Sequence, residues 1–552
     1  MTSAENSSGH AGRLLVRCLA AQGIGRVYCI PGESYLAALD GLVGSGIDVI
    51  IARHEGAAAM MAEAEGKLTG APGIAFVTRG PGATNAAAGI HVAFQDSTPM
   101  ILFVGQVASD QRDREAFQEV DYRQMFAPLA KWVAEIDRAD RIPEYVSRAF
   151  HVAQSGRPGP VVLALPEDML SSIVEGTPAP KATLPSGRAA EADIAAILDL
   201  IERAERPFVI AGGPGWSADA AAALARFAEI AEVPVGVSFR AQDYLDNRHP
   251  NYAGDVGIGI NPALTRRVRE ADVLLALGPR LGEMTTSGYT LLTPPDPLQK
   301  LIHVHPDPSE PGHVYRPTLS VAARADQVVR QLSERVRPPA LSRRDQVADA
   351  RASYEGWQEP PASPGPLKTE HVITHLSRSL PENAILTNGA GNYAAWLHRF
   401  FRYKMYRTQL APTSGSMGYG LPAAIAAKLL APERDVICLA GDGCFQMVAA
   451  EFGTACQYSA NIVILVFNNG QYGTIRMHQE RNYPGRVSGT QMVNPDFSAW
   501  ARSYGAYGAT VTENAAFPKA LAEAMTAGRP AILDLKLSPL AISPSMTLPD
   551  AT

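Results

Sequence analysis

The chain of 552 residues carries 49 basic and 55 acidic side chains, a formal net charge of −6, and 46% hydrophobic residues. That length exceeds what one hydrophobic core organises and predicts three domains. A slight acidic excess with no basic block argues against nucleic acid as a partner.

In chain order, the opening MTSAENSSGHAG lacks the charged and apolar regions of a signal peptide, and its first ten residues are expected to be disordered. No apolar run reaches the roughly 20 residues of a membrane helix, so a soluble protein without a membrane partner is expected. Five cysteines (Cys18, Cys29, Cys438, Cys444, Cys456) with no CxxC pair read as reduced thiols and point to the cytoplasm. Short apolar runs then alternate with alanine-rich amphipathic stretches: RVYCIPG, IDVIIARHE, GIAFVTRGPG, PMILFVGQV and GPVVLALP. Such a rhythm predicts α/β units with parallel sheets, here a first domain over residues 10–175. A Pro/Gly/Ala linker leads to a central domain over 190–335, with RPFVIAGGPG, VPVGVSF, ADVLLALGPRLG and LIHVHPD as its strands. A charged, then proline-rich connector with some helix precedes a third domain over 367–540, whose strands are AILTNGAG, DVICLAGDG, IVILVFNNG and PAILDLKL. The fold class expected is three doubly wound α/β domains with mostly parallel sheets.

GDGCFQM, residues 441–447, places Asp442 between Gly441 and Gly443 where a buried strand should end. The next buried run ends at Asn468-Asn469. Adjacent parallel strands would bring Asp442 and Asn469 together as oxygen ligands, with a backbone carbonyl of the following turn as a third, which suits a Mg²⁺ that completes its shell with phosphate and water. A helix N-terminus after Asp442 favours that phosphate. The plainer reading makes Asp442 a helix cap and Asn468-Asn469 a turn.

The pairing of GDG with a following NN resembles the motif of thiamine-diphosphate (ThDP) enzymes, and the likeness runs from about residue 12 to about residue 540. It implies a pyrimidine-binding first domain and a diphosphate- and Mg²⁺-binding third domain, with Asp442, Asn469 and the Gln471 carbonyl on the metal. ARHEGAAAMM looks like the catalytic glutamate segment, so Glu55 would protonate the aminopyrimidine ring of the cofactor. SGSMGYG puts Met417 at the wedge between the cofactor's two rings and the Gly415 carbonyl on the aminopyrimidine. Pro81 and Asn85 of GPGATN would meet that ring's other edge, and Gly391 and Asn392 of GAGN the diphosphate. Because Glu55 and Asp442 lie in different domains, the family's arrangement implies a homodimer or homotetramer with ThDP at the subunit interface.

Phe117-Gln118-Glu119 is similar to the AFQE of acetolactate synthases, where the glutamine sits at the reacting centre and an amide can hydrogen-bond a developing oxyanion. The resemblance implies a 2-oxo acid substrate, decarboxylated and joined to a carbonyl acceptor. Three departures stand beside it. Glu33 of IPGES replaces a glycine, as a substrate-facing acid or proton donor. His478 stands where a tryptophan helps choose the acceptor, and GPRLGEMTTSGYT keeps Arg280 but lacks the acidic pair of a flavin segment. FAD binding by the central domain, with AGGPG as a phosphate turn, is therefore open. So are a non-ligating decarboxylase or C–C lyase, a flavin oxidase, and a non-catalytic nucleotide-binding protein that keeps the fold.

Overall fold

The structure, a computed structural model, describes residues 9–185 and 187–548. The apolar runs build three six-stranded sheets in which every strand pairs parallel to its neighbours. The first sheet takes β1 (Arg26–Cys29), β2 (Asp48–Ile51), β3 (Gly73–Val77), β4 (Met100–Gln106), β5 (Trp132–Glu135) and β6 (Pro160–Pro166) in the order β2-β1-β3-β4-β6-β5. In the central sheet β7 (Pro207–Ala211), β8 (Val235–Val237), β9 (Tyr252–Asp255), β10 (Val273–Leu277), β11 (Lys300–His305) and β12 (Leu319–Ala322) follow the order β9-β8-β7-β10-β11-β12. The third takes β13 (Ile385–Asn388), β14 (Gln409–Leu410), β15 (Val436–Gly441), β16 (Val463–Asn468), β17 (Tyr507–Val511) and β18 (Ala531–Lys536) as β14-β13-β15-β16-β18-β17.

The first and third sheets therefore share one strand order, while the central sheet has the order of dinucleotide-binding folds. Val209 and Ala211 of β7 enter one core cluster and Phe208 and Ile210 another. A sheet covered on both faces buries every strand residue, which is why these strands read as unbroken apolar runs.

Within the three six-stranded sheets, five strands go beyond the apolar runs: β5, β9, β12, β14 and β17. Each lies at a sheet edge, where one side of the strand has no neighbour and a run of buried apolar residues is not required. The expected disorder of the first ten residues is corrected at its end, because Gly9–His10 pairs antiparallel with Ile173–Val174; residues 1–8 lie outside the described residues. The single helix expected after GDG is two, Asp442–Gln446 and Glu451–Gln457. Between them the N–H groups of Glu451, Phe452 and Gly453 reach back three residues, to Val448, Ala449 and Ala450, a tightening that interrupts the α-helical ladder. By contacts the chain divides into two compact units. One runs to Pro185 and takes in Ile425–Leu430 and Val448–Ala460; the other holds the remainder.

Candidate functional site

At the carboxyl edge of the first sheet the strand order reverses between β1 and β3, the position at which open α/β sheets hold ligands. β2 leads into the helix Glu55–Thr69, capped by His54, whose Nδ1 accepts from Gly56 N at 3.0 Å. Glu55 is half-buried, and its Oε2 accepts from Asn85 Nδ2 at 2.9 Å. Asn85 stands on the helix Pro81–Asp96, which Pro81 opens at a position where its missing N–H is no loss. Gly80 precedes it with φ +61°, and a Cβ there would stand 2.7 Å from the Gln118 Cβ. The glycine is thus what admits Gln118 to this edge. Gln118 itself has φ +65°, in a loop tied by Glu119, whose carboxylate accepts from Asp113 N and Ala116 N at 2.9 and 3.0 Å. Those bonds hold the Glu119 carboxyl below its ordinary range.

Two residues of this edge had no sequence signal. Arg79, at the end of β3, spans the order reversal: its NH2 lies 3.5 Å from Glu33 Oε1, its NH1 2.8 Å from Glu167 Oε2, and its Nε donates to Phe117 O at 3.2 Å. Glu33 opens the turn Glu33–Tyr35 after β1 and is exposed. Glu451, buried at 1% exposure, accepts from Arg53 N at 2.9 Å, and Tyr458 OH accepts from Ile51 N at 2.8 Å. A helix far along the chain thereby fixes the strand end that presents Glu55.

The third sheet brings its own loops together in the same way. β15 and β16 are neighbours, with Gly441 opposite Phe467, so Asp442 and Asn469 do follow adjacent strand tips. The reversal of order falls one strand over, between β13 and β15. Asp442 is buried at 3% exposure; its Oδ1 accepts from Gly443 N (2.9 Å) and its Oδ2 from Gly470 N (2.8 Å) and Asn494 Nδ2 (2.7 Å). Burial pushes its carboxyl up, against those hydrogen bonds. Asn494 also donates to Asn468 Oδ1 at 2.8 Å and so bridges the two motifs. Gly443 makes room for the Tyr472 ring, which a Cβ would meet at 2.6 Å. Asn469 Oδ1 accepts from Gln471 N at 3.3 Å, and the Gln471 side chain is spent on Pro539 O at 2.6 Å, so only its backbone carbonyl is a candidate ligand.

Cys444 ties three candidate loops. Its buried sulfur accepts from Gly418 N at 3.1 Å and Tyr393 OH at 3.4 Å, and Tyr393 OH accepts from Gly389 N at 3.0 Å. GAGN, SGSMG and GDG are thus locked through one thiol, raised by burial. Met417 is half-buried against the third core, Gly415 is exposed with φ +69°, and Gly391 has φ +146°. Asn392 is committed within the fold: it donates to Ile542 O at 2.7 Å and accepts from Thr474 Oγ1 at 3.0 Å. His478 is exposed on the helix Gly473–Asn482.

In the central sheet the AGGPG turn is closed by the protein itself. A Cβ at Gly212 would meet Ser238 Oγ at 1.9 Å and one at Gly213 the Gly278 carbonyl at 1.9 Å, so these glycines serve backbone packing. Arg280 pairs with Glu310 at 3.0 Å. No helix among the described residues is long and apolar enough to cross a membrane, and the five cysteines form no disulfide.

Three family models match the chain: thiamine pyrophosphate enzyme, N-terminal TPP binding domain, over residues 9–125; its central domain over 194–332; and its C-terminal TPP binding domain over 389–535. The chain belongs to the thiamine pyrophosphate enzyme family. Among its relatives, the probable acetolactate synthase large subunit of Methanocaldococcus jannaschii is 32% identical over 95% of this chain and 91% of its own length. The acetolactate synthase large subunit of Corynebacterium glutamicum is 31% identical over 95% and 86%, and the acetolactate synthase of Bacillus subtilis 29% over 95% and 92%. This thiamine pyrophosphate enzyme is accordingly a ThDP-dependent catalyst, with three parallel α/β domains that match the family's N-terminal, central and C-terminal parts.

Proposed function

We propose that this enzyme decarboxylates a 2-oxo acid and joins the acyl carbon to a carbonyl acceptor, releasing CO₂ and a 2-hydroxy ketone, in the manner of an acetolactate synthase. The observation that carries the reading is Gln118, held in a left-handed conformation on the sheet edge that presents the Glu55–Asn85 pair, in a chain whose relatives are acetolactate synthases. ThDP supplies the electron sink for decarboxylation and acyl transfer when bound. Glu55 holds a proton at the aminopyrimidine, with Asn85 fixing its Oε2, and Gln118 donates its amide to the oxygen where charge develops. Glu33, exposed beside Arg79, stands at the substrate end of this edge.

Support for Mg²⁺ is the state of Asp442: a buried carboxylate whose hydrogen-bond partners are all neutral among the described residues. An uncompensated buried charge favours a cation, and Asp442, the Asn469 amide oxygen and the Gln471 carbonyl are a hard-oxygen set of the kind Mg²⁺ takes. Pro81 borders the pyrimidine end of the cofactor, and Gly391, Asn392, Gly415, Met417, Gly441 and Gly443 its other parts. We place the enzyme in the cytoplasm as a homodimer or homotetramer, with Glu55 of one subunit and Asp442 of another serving one cofactor.

The test is product identification by NMR after incubation with ThDP, Mg²⁺ and pyruvate, with and without FAD. Acetolactate is the expected product. Acetaldehyde would make the enzyme a non-ligating decarboxylase and overturn the carboligase reading. A yield that depends on FAD would assign the central domain a flavin.

A further inference from the structure

Arg79 is buried at 8% exposure yet stands at the reversal of strand order in the first sheet, between the end of β3 and the turn that follows β1. A buried guanidinium needs its charge and its donors met. Two of its three nitrogens are met within the fold, Nε by Phe117 O at 3.2 Å and NH1 by Glu167 Oε2 at 2.8 Å. The third, NH2, faces Glu33 Oε1 at 3.5 Å, beyond good charge-assisted hydrogen-bond length, which is 2.7–2.9 Å. The Glu33 side chain is 67% exposed and the Arg79 side chain 10%, so the carboxylate is the solvated partner and the guanidinium the buried one. The same arginine holds the carbonyl next to Gln118. Its backbone is pinned as well, since Arg79 N donates to Ser34 Oγ at 3.3 Å and Ser34 Oγ lies 2.8 Å from Thr78 Oγ1.

We propose that Arg79 is the anchor for the carboxylate of the 2-oxo acid, and that Glu33 is a built-in competitor which that carboxylate displaces. The inference rests on the 2-oxo acid reading above and deepens it. The remaining NH2 can donate a charge-assisted hydrogen bond to an oxygen of the substrate carboxylate, and the substrate then lies beside Gln118 because one arginine positions both. Glu33 in this arrangement acts through Arg79 alone: it occupies the anchor when substrate is absent and swings into solvent when substrate binds. A site with such a competitor discriminates against weak anions, which fail to displace the glutamate.

The experiment is steady-state kinetics of Glu33→Gln, Arg79→Gln and the double variant, with the wild-type holoenzyme first shown to release CO₂ from a 2-oxo acid. If the wild type releases none from any 2-oxo acid offered, the functional reading fails and the anchor falls with it, an outcome distinct from those at Arg79 and Glu33. With turnover established, Glu33→Gln is expected to lower KM for the 2-oxo acid several-fold and Arg79→Gln to raise it about tenfold or more. In the Arg79→Gln background, Glu33→Gln should no longer move KM, since the two residues share one interaction. A Glu33→Gln enzyme whose kcat falls while KM stays, with one limb lost from its pH profile, would make Glu33 a proton donor and overturn the proposal. An unchanged KM in Glu33→Gln, or the same KM decrease with and without Arg79, would overturn it equally. Circular dichroism of Arg79→Gln, with Arg79→Lys as the milder variant, separates loss of binding from loss of the Phe117–Gln118 loop: Arg79→Lys keeps a cation at the anchor and should retain a lower KM than Arg79→Gln.

Discussion

The first and third sheets have the same strand order and put their candidate residues on topologically matching loops, yet they hold opposite kinds of carboxylate. After the second strand of each come Glu55 and the SGSMG loop; after the third, GPGATN and GDG; after the fourth, the Gln118 loop and Asn468-Asn469. Glu55 is half-buried and takes one amide hydrogen bond, which leaves an oxygen for a ligand. Asp442 is buried and surrounded by three neutral donors. One scaffold thus presents a half-buried carboxylate in one copy and a fully buried one in the other, because the loops differ and the sheet does not; in the proposed function the first handles a proton and the second a metal.

That contrast is broken most strongly at Glu55. Glu55→Gln should bind ThDP with near wild-type affinity in a calorimetric titration and lose on the order of 100-fold or more in kcat, the usual range for a proton-transfer group. Wild-type turnover would remove Glu55 from the site. Asp442→Ala should do the reverse and abolish Mg²⁺-dependent ThDP binding in the same titration. Binding unaffected by Mg²⁺ in both proteins would dissolve the metal half of the comparison.

A smaller effect is expected at Asn494, whose amide bridges Asp442 and Asn468. Asn494→Ala removes an outer hydrogen bond from the candidate ligand and should weaken apparent Mg²⁺ affinity by about 10-fold, with kcat recovered at saturating metal. A kcat that stays depressed there would place Asn494 in the chemistry itself.

The mildest test uses a carboxylate away from either site. Asp243 is buried, its Oδ2 accepts from Thr408 N and Gln409 N at 2.9 and 3.2 Å, and burial pushes its pKa up from 3.8 to about 6. The folded state therefore holds this proton more tightly than the unfolded chain. Its contribution to stability is full below the unfolded pKa and is lost as pH rises through about 6. Asp243→Asn keeps the shape and drops the charge, so urea unfolding should show the variant gaining about 1–3 kcal/mol on the wild type between pH 5 and pH 8. Parallel pH curves for the two proteins would show that Asp243 does not titrate in this range.

Much of this protein is written locally. The apolar runs of buried strands, the alanine-rich helices between them and the glycines at strand ends determined three parallel α/β domains, since a strand buried on both faces needs an unbroken apolar run. The same local reading placed Glu55, Asp442 and Asn469 at strand ends. What the tertiary structure alone decided has no local signal. Edge strands such as Tyr507–Val511 need no apolar run, and only pairing with Ala531–Lys536 defines this one. Arg79 reaches Glu33, Phe117 and Glu167 across three other loops. Glu451 reaches the strand end before Glu55, and Asn494 joins GDG to NN. Each of these is a polar contact between segments distant along the chain. Hydrophobic burial sets the pattern of a sequence, but the partner of a buried charge is chosen by whichever loops the sheet order brings together.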